Sequence, residues 1–250
     1  MRLVLLALAF MLAACGQSEP PPPLPETPQR AAQPWFICDA IDAPVVLVFE
    51  REGQVARVAQ YSKPDGALVQ RTDYQIGVED GAAGSEYTTL LQNGADAGHL
   101  RRTNPSMLDE PSSAYTLRFT SVRIGEREVT CRWLPRTRVF GVTGRRSVVV
   151  QEDASGDLIY TSYDFAAAAD APPVALSENA QTTTFSFEVR GGAESTSALG
   201  TQYQFQADSE TTITVTAGHD GAGAVDVRRH GPEPLQAEQF IALQTGEGAE

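Results

Sequence analysis

The polarity of this chain alternates with a period of two along much of its length, and such a pattern commits those stretches to half-buried antiparallel strands. In residues 183–190, Phe185, Phe187 and Val189 fall on one side and Thr184, Ser186 and Glu188 on the other. Further on, Tyr203, Phe205 and Ala207 alternate with Gln202, Gln204 and Gln206, and Ile213 and Val215 with Thr212, Thr214 and Thr216. The runs at 45–50, 114–124, 128–133 and 147–153 read as strands too. Between them stand turn formers that preset a bend or tolerate positive φ: Glu52-Gly53, Lys63-Pro64-Asp65-Gly66, Ser155-Gly156-Asp157 and Asp220-Gly221. After the first residues no long amphipathic helical pattern occurs, and residues 233–244 fit either a last strand or a short helix. The expected fold class is all-β, an antiparallel sandwich or barrel built from hairpins.

Residues 35–250 are too many for one small barrel. They suit two β domains, 35–134 and 135–250 with Pro135 at the boundary, or else one large sandwich. The Ala- and Pro-rich stretch 166–173 reads as a loop within the second half.

The N-terminus has a different character. Residues 3–14 form an unbroken apolar run behind Arg2, and 12 residues are short of the roughly 20 a membrane-spanning helix needs. Residues 1–14 therefore read as a signal peptide. Leu12-Ala13-Ala14-Cys15 resembles the lipobox of bacterial lipoproteins. The resemblance implies cleavage between Ala14 and Cys15 and acylation of Cys15, palmitate being among its three chains. An ordinary secretory signal that happens to precede a cysteine is the alternative. Gly16, where an aspartate would retain such a protein in the inner membrane, implies the outer membrane with the body facing the periplasm. Residues 16–34 hold seven of the sixteen prolines and should form an extended polyproline II tether following the lipidated cysteine, giving a linker of 15–34. A PxxP ligand is the other reading of that stretch.

The formal charge of −13 becomes −14 once Arg2 leaves with the leader. An excess of carboxylates excludes nucleic acid as a partner and leaves membrane attachment to the lipid. With Cys15 committed to lipid, Cys38 and Cys131 remain, and in an oxidising compartment parity pairs them in a disulfide. Catalytic or metal-binding thiols are the alternative, but there is no CxxC spacing and no histidine nearby in sequence.

Chemistry-bearing motifs are sparse. His99, His219 and His230 show no HxxxH or HExxH spacing, and no nucleophile elbow, Walker A loop or SxxK is present. Asp80-Gly81 and residues 153–157 lack the calcium-loop pattern with its terminal glutamate, so they read as turns. No cofactor or metal is expected. The arginine pairs Arg101-Arg102, Arg145-Arg146 and Arg228-Arg229 would make surface ion pairs, or an anion-binding face if the fold gathered them.

One resemblance extends past the anchor. Phe36-Ile37-Cys38, a strand meander, then Gly84-Ser85-Glu86-Tyr87 and a closing Cys131 resemble the membrane-bound C-type lysozyme inhibitor lipoproteins. These are small periplasmic barrels with a Ser-Gly-x-x-Tyr type loop. Ala83 stands where that family has serine, Glu86 where a basic residue is usual, and Gln92-Asn93-Gly94 does not match its Lys-Gly element. The likeness covers residues 36–133 and implies a barrel with a disulfide and an inhibitor-like loop at Gly84, Ser85 and Tyr87. The leading expectation is a non-enzymatic, lipid-anchored envelope binding or structural module with an envelope protein partner. The alternatives are a lysozyme-inhibitor-like lipoprotein and an envelope hydrolase with dispersed catalytic residues.

Overall fold

The computed structural model describes residues 33–63, 65–82, 84–104, 116, 118–168, 174–177, 180–182, 185–229 and 236–246. The leader, Ala14, Cys15 and the tether as far as residue 32 lie outside the described residues, as do Pro64, Ala83 and His230. The chain folds almost entirely into antiparallel strands. The first eight are β1 (Phe36–Asp39), β2 (Val45–Glu52), β3 (Val55–Ser62), β4 (Leu68–Ala82), β5 (Ser85–Gln92), β6 (Ala95–Thr103), β7 (Phe119–Ile124) and β8 (Arg127–Thr130). Next come β9 (Thr137–Val142), β10 (Arg146–Glu152), β11 (Leu158–Asp164), the one-turn helix α1 (Phe165–Ala168), β12 (Val174–Ser177), β13 (Ala180–Thr182) and β14 (Phe187–Arg190). The last are β15 (Ala193–Ser197), β16 (Gly200–Gln206), β17 (Thr211–Gly218), β18 (Gly223–Arg229), β19 (Gln236–Gln239) and β20 (Ala242–Thr245).

Strands β1 to β8 form one sheet in sequence order, which curls until its ends nearly meet. Past β8 the chain bonds back to β1: Ile41 N–H donates to Thr130 O and Arg132 N–H to Asp39 O, each at 2.9 Å. Cys131 lies opposite Ala40 and is disulfide-bonded to Cys38. Leu47, Phe49, Leu90, Leu100, Val122 and Val129 fill this barrel, with Phe36 stacked between Phe49 and Phe119.

The remaining strands build a sandwich. One sheet has the order β14-β11-β10-β9-β20 and the other β15-β16-β17-β18-β19, while β12 and β13 pair as a separate hairpin. Val148, Val150 and Tyr160 of the first sheet meet Phe205, Ile213, Val215 and Val225 of the second. The intervening residues of the first sheet, including Phe140, Val142, Val149 and Tyr163, pack against Ile37, Val46 and Val48 on the outside of the barrel. Strands β9 to β11 are thus covered on both faces, which is why Val148-Val149-Val150 breaks the alternation.

Two details differ from the alternation. Val189 is buried, but Phe185 and Phe187 are 47% and 45% exposed, and the strand begins only at Phe187. β14 is the edge of its sheet, so among the described residues no further strand pairs with its outer side. Of residues 233–244, the described part is two strands in different sheets, β19 and β20, joined through buried Phe240. No described helix is long and apolar enough to cross a membrane.

Candidate functional site

The residues singled out at Gly84, Ser85 and Tyr87 open β5, just after the β4–β5 turn, where Gly84 takes φ +90°. Thr88 and Leu90 are buried in the barrel wall, so the pleat directs Ser85, Tyr87 and Thr89 outward. Register supplies the neighbours. Tyr87 lies opposite Arg101 and Thr89 opposite His99 on β6, and these lie opposite Ser121 and Arg123 on β7. One outer patch of β5 to β7 therefore gathers a phenol, an imidazole and two guanidiniums.

This patch is held by directed contacts. Arg101 Nε–H donates to Ser85 Oγ at 3.0 Å, and Arg123 Nε–H to His99 Nδ1 at 3.0 Å. Arg123 also reaches Asp96 at 3.3 Å. Tyr87 and His99 meet edge to face with ring centroids 5.3 Å apart. Because His99 Nδ1 accepts, the neutral ring carries its proton on Nε2 and presents a donor. Gly98 makes the arrangement accessible: at φ +153° a Cβ there would lie 2.0 Å from the Arg123 carbonyl oxygen. Only glycine lets β6 and β7 approach this closely beside the irregularity at Leu90/Leu91.

Next to the patch, at the end of the barrel, Glu86 and Arg102 face each other and form an ion pair. Arg118, whose carbonyl accepts from Thr103 N–H, is 8% exposed and its buried Nη1 has no hydrogen-bond partner. Burial, and then the nearby Arg102, pull its pKa below the usual arginine value, while Glu86 opposes them. Arg102 pairs with the Glu86 carboxylate, and Arg118 is close enough to feel both charges.

The other singled-out residues lie apart. His219 follows β17 on an exposed turn, a ring nitrogen 3.3 Å from the Ser197 carbonyl oxygen. Arg101-Arg102, Arg145-Arg146 and Arg228-Arg229 belong to three different sheets or their edges, with Arg146 paired to Asp164 and Glu238. Asp153 accepts from Ser155 N–H and Asp157 N–H and makes a turn, whereas Asp80 and Gly81 lie within β4 rather than in one. Among the described residues no group of three or more His, Cys, Asp or Glu side chains could hold a metal.

A second cluster escaped the sequence reading. Asp39, Lys63 and Arg132 are all buried where the barrel meets the sandwich. Arg132 Nε–H donates to Asp39 Oδ2 at 2.7 Å, Lys63 Nζ lies 2.6 Å from Oδ1, and Lys63 also donates to the Ala40 carbonyl. The Arg132 guanidinium lies 3.4 Å over the Tyr163 ring of β11, and Lys63 Nζ 5.9 Å from the Phe165 ring. Burial alone would raise the Asp39 carboxyl; the two cations reverse that and hold it at about 2. This cluster joins the two halves and is closed to solvent, so it is a structural clamp.

Set beside family models, curated proteins and solved structures, the chain matches none. The case for function rests on the outer patch. It offers hydrogen-bond donors and aromatic rings at partial exposure.

Proposed function

We propose that this chain is a non-enzymatic binding protein of the cell envelope, held by lipid on Cys15 at the periplasmic side of the outer membrane. Its docking surface is the patch of Ser85, Tyr87, His99, Arg101 and Arg123. The observation that carries the reading is the Tyr87–His99–Arg123 arrangement, in which two rings and a guanidinium are held together, with Arg101 beside them, on an otherwise acidic body. Tyrosine and arginine are the side chains that most often anchor protein interfaces. His99 is engaged by Arg123 and the Tyr87 ring, and His219 by the Ser197 carbonyl, rather than by a carboxylate and a hydroxyl, which weighs against the hydrolase alternative at these two positions. A photoreactive residue in place of Thr89, beside Tyr87, should cross-link one discrete envelope protein. Tyr87→Ala with Arg101→Ala should abolish that product without altering fold or anchoring. An unchanged cross-link in the double variant refutes the patch.

A lysozyme-inhibitor-like activity is the second reading, and the disulfide-stapled barrel with Gly84, Ser85 and Tyr87 at a hairpin end favours it. The soluble body should then inhibit a muramidase at micromolar concentration, and no inhibition would end it.

A further inference from the structure

The bond at the centre of the outer patch holds in only one charge state of its histidine. A guanidinium has N–H donors and no acceptor, so the 3.0 Å contact from Arg123 Nε requires a lone pair on His99 Nδ1. An imidazolium carries N–H on both ring nitrogens. Protonation therefore turns the acceptor into a second donor and sets two cations face to face across the broken bond. His99 is half-buried, so solvent protons reach its ring. Imidazole is the side chain that ordinarily changes charge between about pH 5 and pH 8.

Four strands supply the groups around it. From β5, Tyr87 meets the His99 ring edge to face and Thr89 stands opposite. β6 itself brings Arg101, which donates to Ser85 Oγ, and Asp96. Asp96 accepts from Gly98 N–H at 2.9 Å and from Arg123 Nη2 at 3.3 and 3.4 Å. β7 contributes Arg123 and Ser121, and β8 contributes Glu128, which lies opposite Arg123 and accepts from Ser121 Oγ at 2.7 Å. An imidazolium here meets two guanidiniums and competes with Arg123 for Asp96. Arg123 Nη1 keeps the Gly125 carbonyl at 2.9 Å as a separate hold. His219 is built differently, because its ring nitrogen lies by the Ser197 carbonyl oxygen, which an N–H of either charge state satisfies.

We propose that His99 is the proton switch of the docking surface. Neutral, it accepts from Arg123 and holds the Tyr87–His99–Arg123 arrangement together; protonated, it parts from Arg123, the arrangement opens, and the partner is released. The surface engages at neutral pH and lets go in acid. Release of the partner rests on this patch being the docking surface, whereas the parting of Arg123 from His99 belongs to the chain alone.

The switch is read by NMR on the nitrogen-15-labelled, mature-length chain without lipid, Cys15→Ser. At about pH 8 a scalar coupling should connect Arg123 Nε and His99 Nδ1 across the bond, and titration to about pH 5 should remove it. The Arg123 Nε–H signal should move with the same midpoint as the His99 ring signals. In His99→Gln, whose amide oxygen accepts at every pH, the Arg123 signal should stay flat. In the envelope, the cross-link from position 89 should be lost over the pH range in which the coupling disappears. An Arg123 signal that ignores the titration of His99, or still moves in His99→Gln, overturns the switch. A working switch with an unchanged cross-link yield overturns release. Absence of a cross-link at every pH refutes the docking surface instead, and the NMR titration still decides the switch.

Discussion

Replacing Asp39 by asparagine keeps the shape of the buried side chain at the barrel–sandwich junction but removes its charge. Lys63 and Arg132 then remain buried without the carboxylate charge they share. Breaking a buried pair in this way costs about 3 to 5 kcal/mol at neutral pH, because an ion left in a poorly polarisable interior keeps its desolvation penalty. The pH dependence gives an independent check. The Asp39 carboxyl is lowered from 3.8 to about 2 on folding. A depressed carboxyl contributes stability above its unfolded pKa and loses it as pH falls through the folded one. The shift corresponds to about 2 kcal/mol, with about 1 kcal/mol gone by pH 3 and nearly all below the folded value. Denaturant unfolding with the disulfide intact, followed by the fluorescence of Trp35 and Trp133, measures both quantities. The wild type should lose this increment between pH 5 and pH 2, and Asp39→Asn should not. Replacing all three by apolar residues, Asp39→Leu with Lys63→Met and Arg132→Met, should recover most of the neutral-pH loss, since nothing charged is then stranded. A loss below about 1 kcal/mol for Asp39→Asn, or parallel acid profiles for the two proteins, would refute the clamp.

Three further outcomes follow. Lys63 is the chain's one lysine and only 2% exposed, so an amine-reactive reagent should leave it unmodified in the folded protein and label it on unfolding; ready labelling of native protein shows that the junction opens. Replacing Cys38 and Cys131 by alanine frees a span of 93 residues and should cost about 4 to 5 kcal/mol in the chain-entropy account, read as a lower denaturant midpoint; an unchanged midpoint refutes it. Gly98→Ala forces β6 from β7 at the Arg123 carbonyl and should shift the His99 ring signals while cross-linking from position 89 falls; unaltered His99 signals show that the close approach is not required.

The strands and their faces were legible because burial on one side writes itself into the chain as alternation. Tyr203 and Phe205 inside against Gln202, Gln204 and Gln206 outside is one such record. The cysteine pairing was legible from parity. What alternation does not encode is which sheet a strand joins. β19 and β20 are separated by Phe240 and Ile241 yet belong to opposite layers, because sheet membership depends on long-range pairing such as Ala242 with Val142. The outer patch was mostly legible by type, in Ser85, Tyr87, His99 and Arg101, while Arg123 entered through register. The clamp left a trace that went unread. Asp39 follows one bridged cysteine and Arg132 the other, each a charge within an apolar stretch. The register that sets Ala40 opposite Cys131 brings Asp39 opposite Arg132, as the Arg132 N–H to Asp39 O bond records, and cysteine parity alone does not specify that register.

The clamp also bears on whether the two halves behave as one unit. The barrel has its own interior, as does the sandwich, so each could persist if they parted. Parting would expose Ile37, Val46, Val48, Phe140, Val142 and Val149, all nearly inaccessible now, together with the Tyr163 face that covers Arg132. Each such aliphatic or aromatic side chain loses about 1.5 to 3 kcal/mol when returned to water. Separation therefore costs more than a typical contact between independently moving domains, and apolar surface supplies most of that cost. The charges add orientation instead. An apolar face tolerates sliding, whereas one carboxylate held between Lys63 and Arg132 under the Tyr163 ring fits a single alignment of barrel and sandwich. That alignment fixes how the β5–β7 patch is placed relative to Gln33, and so which way the proposed docking surface would face under the proposed anchor at Cys15.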